Sequence, residues 1–122
     1  GHLNAVDGPV TAVSADPLYL DLELKAGVST QLPIPIGHTA FVYCFQGELN
    51  IGPSAAQTLA FRHLAVLTDG DPLTLHAAAA DARVLVVAGQ PFNEPIARYG
   101  PFVMNTRDEI LAAVDDLRAG RF

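Results

Sequence analysis

Cysteine occurs once, at Cys44, in a chain of 122 residues. A lone cysteine excludes an internal disulfide and any cysteine-based zinc cluster, and a reducing cytoplasm is the simplest home for such a chain. Basic residues are also sparse: seven Lys/Arg stand against 13 Asp/Glu, a formal net charge of −6, with no Lys/Arg cluster. Direct nucleic-acid binding needs a basic stripe, so no such partner is expected. No apolar run approaches the roughly 18 residues that cross a bilayer, so no membrane partner is expected either. Residues 1–10, "GHLNAVDGPV", lack the basic end and apolar core of a signal peptide and read as a linker or expression remnant. Internal repeats and low-complexity tracts are missing as well.

What remains is a chain that is 50% hydrophobic with a mean hydropathy of +0.28, suited to one folded domain with a real core. "LYLDLEL" (Leu18–Leu24) alternates apolar and polar residues, the pattern of a half-buried strand. "AFVYCFQ" (Ala40–Gln46), "ELNIG" (Glu48–Gly52), "TLAFRHLAVL" (Thr58–Leu67), "PLTLHA" (Pro72–Ala77) and "RVLVVA" (Arg83–Ala88) read as further strands. Turn signals separate them, including "TDGDP", whose carboxylates Asp69 and Asp71 are turn chemistry before they are an acid pair. Many short strands with Gly/Pro/Asp turns predict an antiparallel sandwich or barrel. After Gly89 the chain is punctuated by proline and then changes period. Thr106 and Glu109 form an S/T-x-x-E capping box, and Ile110, Leu111, Val114 and Leu117 make one apolar stripe. Arg118 in the last turn and Gly120 beyond it end a predicted helix.

"TQLPIPIGH" (Thr30–His38) is the anomalous stretch, because proline cannot donate to a sheet ladder and two prolines stand two residues apart. Gly27, five residues, Pro33-x-Pro35, four residues, Ala40, six residues and Gly47 follow the spacing of the first cupin motif. In metal-binding cupins, histidines and a glutamate occupy the positions taken here by Pro33, Pro35 and Ala40. A pyrrolidine ring and a methyl group cannot coordinate a metal, so no metal is expected at these vestigial positions.

"EPIARYGPFVMNT" (Glu94–Thr106), followed by an acidic amphipathic helix and a terminal "GRF", resembles the C-terminal signature of the pirin family. "LYLDLEL", "QLPIPIG", "AFVYCFQGELNIG", "AVLTDGD" and "VLVVAGQPFNEPI" extend the resemblance over nearly the whole chain from about Gly8. It implies an all-β cupin, a double-stranded β-helix or jelly-roll-like barrel, with one C-terminal α-helix. Residues 11–93 would form the barrel, and residues 94–122 the signature segment and helix completing the same domain. Pirins are bicupins of about twice this length, whose N-terminal half carries the metal, usually iron, and whose C-terminal half usually carries none. The resemblance therefore implies an N-terminal cupin domain of the same protein as partner, with the iron held there and no cofactor in this chain. Family members are linked to quercetin 2,3-dioxygenase activity and to redox-linked transcriptional co-regulation; none of the ligands behind that chemistry maps onto a residue here.

The cupin spacing also predicts side-chain directions. With Ala40 inward, Val42 and Cys44 follow it, and Phe41, Tyr43 and Phe45 point outward. Such an aromatic row needs a cover: the chain's own second sheet or C-terminal segment, the absent N-terminal domain, or a bulge that reverses the faces. Phe41, Tyr43, Phe45, Tyr99, Phe102 and Met104 are the candidate interface residues. Glu94, Arg98 and Tyr99 are explained by a turn at Gly100-Pro101, with Glu94 and Arg98 pairing locally. His38, His63 and His76 share no metal-ligand spacing, and Cys44 has no activating partner. No catalytic residue is expected. Three functions follow: a catalytically silent half of a bicupin; a barrel holding a flavonoid-like molecule, with Tyr43, His63 or His76 as anchors; and a homodimer when the half is isolated.

Overall fold

Leu18, Leu20, Leu22 and Leu24 turn to one side of a single strand and Tyr19, Asp21 and Glu23 to the other, as their alternation requires. The computed structural model describes all residues except 11–12, 54–56 and 71; Asp71 therefore lies outside the described residues. In chain order the strands are β1 (His2–Leu3), β2 (Val6–Asp7), β3 (Leu18–Leu24), β4 (Ser29–Leu32), β5 (Thr39–Gln46), β6 (Leu49–Ile51), β7 (Gln57–Leu59), β8 (Leu64–Val66), β9 (Leu73–His76), β10 (Ala82–Gly89), β11 (Ala97–Tyr99) and β12 (Phe102–Met104), followed by helix α1 (Arg107–Arg118). The chain divides into two compact units, Gly1–Pro91 and Phe92–Phe122.

In the first unit two four-stranded antiparallel sheets, ordered β3-β10-β5-β8 and β4-β9-β6-β7, face each other. Val42, Cys44, Val84 and Val86 from one sheet and Leu49 and Leu75 from the other are fully buried in one shared core. The first residues, expected as a linker, form a small β1–β2 hairpin whose Leu3 packs against that core. The expected strand Thr58–Leu67 is two strands. β7 belongs to one sheet and β8 to the other, and Arg62 turns the corner between them at φ 62°. No glycine or proline marks this corner, so the apolar run reads as continuous.

The second unit is a hairpin and a helix. β11 and β12 pair through a turn with Gly100 at its first central position, which suits a primed hairpin turn, and Phe102 meets the ring of Phe122 at 5.7 Å. The α1 capping box is complete: Thr106 Oγ1 accepts from the Glu109 amide, and Glu109 Oε2 accepts from the Thr106 amide at 2.9 Å. At the other end the Gly120 amide donates to the Leu117 carbonyl and the Arg121 amide to that of Asp116, a Schellman closure. The expected apolar stripe is corrected here. Ile110 is buried and Val114 half-buried, but Leu111 and Leu117 are more than half exposed, and Ala113 is buried in their stead. Three-residue strands span about 10 Å against about 18 Å of helix, so this hairpin covers only part of α1.

Candidate functional site

The anomalous proline pair resolves once β4 is seen to end at Leu32. Pro33 and Pro35 stand beyond the ladder, exposed, so no sheet hydrogen bond is lost to either ring. Between them Ile34 turns in and packs on the core. The turn that follows is clamped twice: the His38 amide donates to the Pro35 carbonyl at 3.1 Å, and the Gly37 amide donates to Asp69 Oδ1 at 3.0 Å. Ala40, by contrast, is 2% exposed and inside. The prolines therefore frame the mouth of the barrel and do not fill its interior.

Two cavities meet at this rim and share Pro35 and His38. One, of about 200 Å³, is bounded also by His2, Asp16 and Pro33. The other, of about 30 Å³, touches Ala40 and Asp69. His38 Nδ1 is buried without a hydrogen-bond partner among the described residues, and His2 Nδ1 lies 3.8 Å from Asp16 Oδ1. Metal-binding cupins hold a divalent ion at the positions matched by Pro33, Pro35 and Ala40, but the side chains here do not fit one. The three motif positions offer no side-chain donor atoms, and among the described residues no three His, Cys, Asp or Glu side chains are grouped to hold an ion.

The remaining candidates are dispersed. His63 Nδ1 is 3.0 Å from the Phe61 carbonyl in the β7–β8 corner, and His76 Nδ1 is 2.8 Å from Ser29 Oγ at the end of β9. Neither borders the rim cavities, nor does Tyr43. Cys44 is buried, its Sγ 3.4 Å from the carbonyls of Gln46 and Gly47, and burial pushes its thiol up, which disfavours the reactive thiolate. Glu94 does not pair with Arg98; its Oε2 accepts from Asn105 Nδ2 at 2.7 Å, tying the start of the signature to its end. Asp69 as the clamp of the proline turn, and His2 and Asp16 as rim residues, escape a sequence reading. The Gly37–Asp69 contact joins segments about thirty residues apart, and the His2–Asp16 contact involves one residue, His2, that reads as linker.

The outer face of the first sheet is the other notable surface. Ala40, Val42 and Cys44 are buried while Phe41, Tyr43 and Phe45 point outward, half-buried. The chain's second sheet does not cover the aromatic row, because it packs on the face carrying Val42 and Cys44. Register aligns two outward rows across all four strands: Tyr19–Val87–Phe41–Val66 and Asp21–Leu85–Tyr43–Leu64. Seven of these eight residues are apolar, and Tyr19, Leu64 and Val66 are more than half exposed. Beyond the rows Arg83 lies over Phe45, 5.3 Å from the ring centroid, and forms a two-point hydrogen bond with Asp21 at 2.9 and 2.6 Å. That guanidinium holds the Asp21 carboxyl below the usual carboxylate range.

The model of the pirin C-terminal cupin domain matches residues 19–122. The chain belongs to the pirin family. Mouse pirin is 42% identical over 103 residues, which cover 83% of this chain and 36% of that protein. A Pseudomonas aeruginosa protein with the provisional name quercetin 2,3-dioxygenase is 42% identical over 119 residues, 98% of this chain and 40% of its own length. The crystal structure of a quercetin 2,3-dioxygenase from Acinetobacter baumannii superimposes with a TM-score of 0.89 at 35% identity, covering 100% of this chain and 41% of that one. The two-sheet unit is thus a pirin-type cupin, and the chain spans about two-fifths of the length of the relatives it matches.

Proposed function

We propose that this pirin cupin acts as the metal-free C-terminal half of a cytoplasmic bicupin, completing a partner cupin domain that carries the iron. What carries the reading is the rim: a motif whose ligand positions are Pro33, Pro35 and Ala40 retains the turns but none of the donors. The outer sheet face supports it. β3, β10 and β5, spaced about 4.8 Å apart with some seven residues of about 3.4 Å each, and the three-residue β8 give a face of roughly 400 Å². That is within the range of the largest apolar patch on a typical monomer, and about half of one side of a standard interface. An N-terminal cupin seated there would bury the two apolar rows, with further surface needed to complete the contact. In this reading any quercetin 2,3-dioxygenase chemistry belongs to the whole protein and to the other half's metal.

A flavonoid-binding barrel is less well supported. The rim cavity of about 200 Å³ is smaller than the roughly 300 Å³ at which sites for drug-sized ligands begin, and its walls lack the proposed anchors Tyr43, His63 and His76. Elemental mass spectrometry tests the proposal. This chain should purify with no stoichiometric metal, and a two-domain form should carry about one iron. One iron, nickel or zinc per chain in the isolated cupin would overturn it and bring the enzyme reading forward.

A further inference from the structure

The unit Phe92–Phe122 carries a groove of about 640 Å³, larger than either rim cavity and independent of the barrel reading. The hairpin residues Ala97–Tyr99 form one wall, and one stripe of α1 forms the other: Arg107, Ile110, Leu111, Val114, Asp115 and Arg118. Their spacing of i, i+3, i+4, i+7, i+8 and i+11 keeps them on one helical face. Its centre is apolar and open, with Leu111 55% exposed. Its borders are basic. Arg98, Arg107 and Arg118 are three of only seven basic residues in a chain of net charge −6, against one acid, Asp115, whose Oδ1 lies 3.6 Å from Arg118 Nη1 in an exposed pair of little strength. The other acids of α1, Asp108, Glu109 and Asp116, lie outside the groove. Arg107 also occupies the first position of the helix, where the dipole disfavours a cation, so helix stability does not explain it.

We propose that this groove docks an amphipathic helix of a protein partner whose apolar stripe is flanked by carboxylates. Arg107 and Arg118 are eleven residues apart, about 16 Å along the axis, which matches acids placed three turns apart on the incoming helix. The apolar centre between them takes the leucine-type side chains, as in helix-in-groove recognition. A second copy of α1 matches the site only in part. A parallel pairing sets each arginine against itself, and the antiparallel register that sets Arg107 against the second copy's Asp115 leaves Arg118 beyond the other helix with no acid opposite it.

The test uses two fluorescent helical peptides with one leucine stripe, the first flanked by glutamates and the second by lysines. In anisotropy titrations the glutamate peptide should bind saturably, at least tenfold more tightly than the lysine peptide, and weaken with salt. The double variant Arg107→Glu/Arg118→Glu should reverse that preference, with circular dichroism confirming that the variant is folded; Leu111→Glu should weaken the glutamate peptide. Equal binding of both peptides, binding indifferent to R107E/R118E, or no binding would each overturn the proposal. So would loss of peptide binding in a two-domain form, which would mean that the groove is filled from within, or a dimer broken by L111E, which would mean that a second copy fills it.

Discussion

Gly47 stands where β5 leaves one sheet and the chain crosses to β6 in the other, with φ at 69°. A Cβ added there would come within 2.3 Å of the Asp81 carbonyl oxygen, a backbone atom that cannot swing away. Both the left-handed conformation and the close approach demand glycine. Gly47→Ala should therefore cost about 2 kcal/mol or more, combining backbone strain with a displaced Asp81 strand lead-in. Urea denaturation followed by circular dichroism reads this as a lowered midpoint at unchanged slope. An unshifted midpoint would mean that the turn relaxes freely and that the motif's glycine is not structural. The same residue shows what spacing can and cannot convey. The glycine and its turn are legible in the sequence, but Asp81, the residue that makes glycine obligatory, lies 34 positions away.

Helix α1 is the element most fully legible in advance, because its signals are local. Cap, acidic first turn, basic last turn and terminating glycine all lie within the element they define. Its buried face was legible only in part, since Leu111 and Leu117 depend on how far a short hairpin reaches, which no periodicity encodes. The capping box makes a pH prediction. Backbone amides of Thr106 and Asn105 hold the Glu109 carboxyl below its ordinary range. A carboxyl depressed in the folded state binds its proton less readily than in the unfolded state. Its contribution is therefore present above the unfolded value and is lost as pH falls through the folded one. Helical signal from α1 should be level from neutral pH to about 4 and decline below that, as carboxylates protonate. Glu109→Gln keeps an acceptor without the titration, so its helical signal should fall less steeply in acid. A circular dichroism pH series in which both forms decline identically would remove Glu109 from that transition. The strand Thr58–Leu67 is the opposite case. The sheet-to-sheet corner at Arg62 is dictated by where the two sheets sit, and the residues there carry none of the usual turn chemistry.

For the whole molecule the decisive asymmetry is between the two faces of the sheet β3-β10-β5-β8. Period-2 alternation identifies which residues share a face, and the cupin spacing identifies which face is inward. Neither says that the outward residues fall into two continuous apolar rows, because that depends on register between strands 20 to 70 residues apart. Register is also what turns scattered aromatics into a surface that water disfavours. An isolated chain with that face uncovered should self-associate reversibly, with sedimentation velocity showing a concentration-dependent average mass. Val66→Glu places a charge at one end of the Tyr19–Val87–Phe41–Val66 row, at a residue that is 71% exposed and so contributes little to folding. It should return the chain to a monomer without lowering its thermal midpoint, and in a two-domain form it should loosen contact between the halves. Val66 is not among the residues that line the Arg107–Arg118 groove, so the two docking ideas fail separately. A chain that stays monomeric at every concentration, with Val66→Glu indistinguishable from it in both forms, would show that the outer rows face solvent in the working protein. The proposed partner cupin domain would then have to meet this one elsewhere.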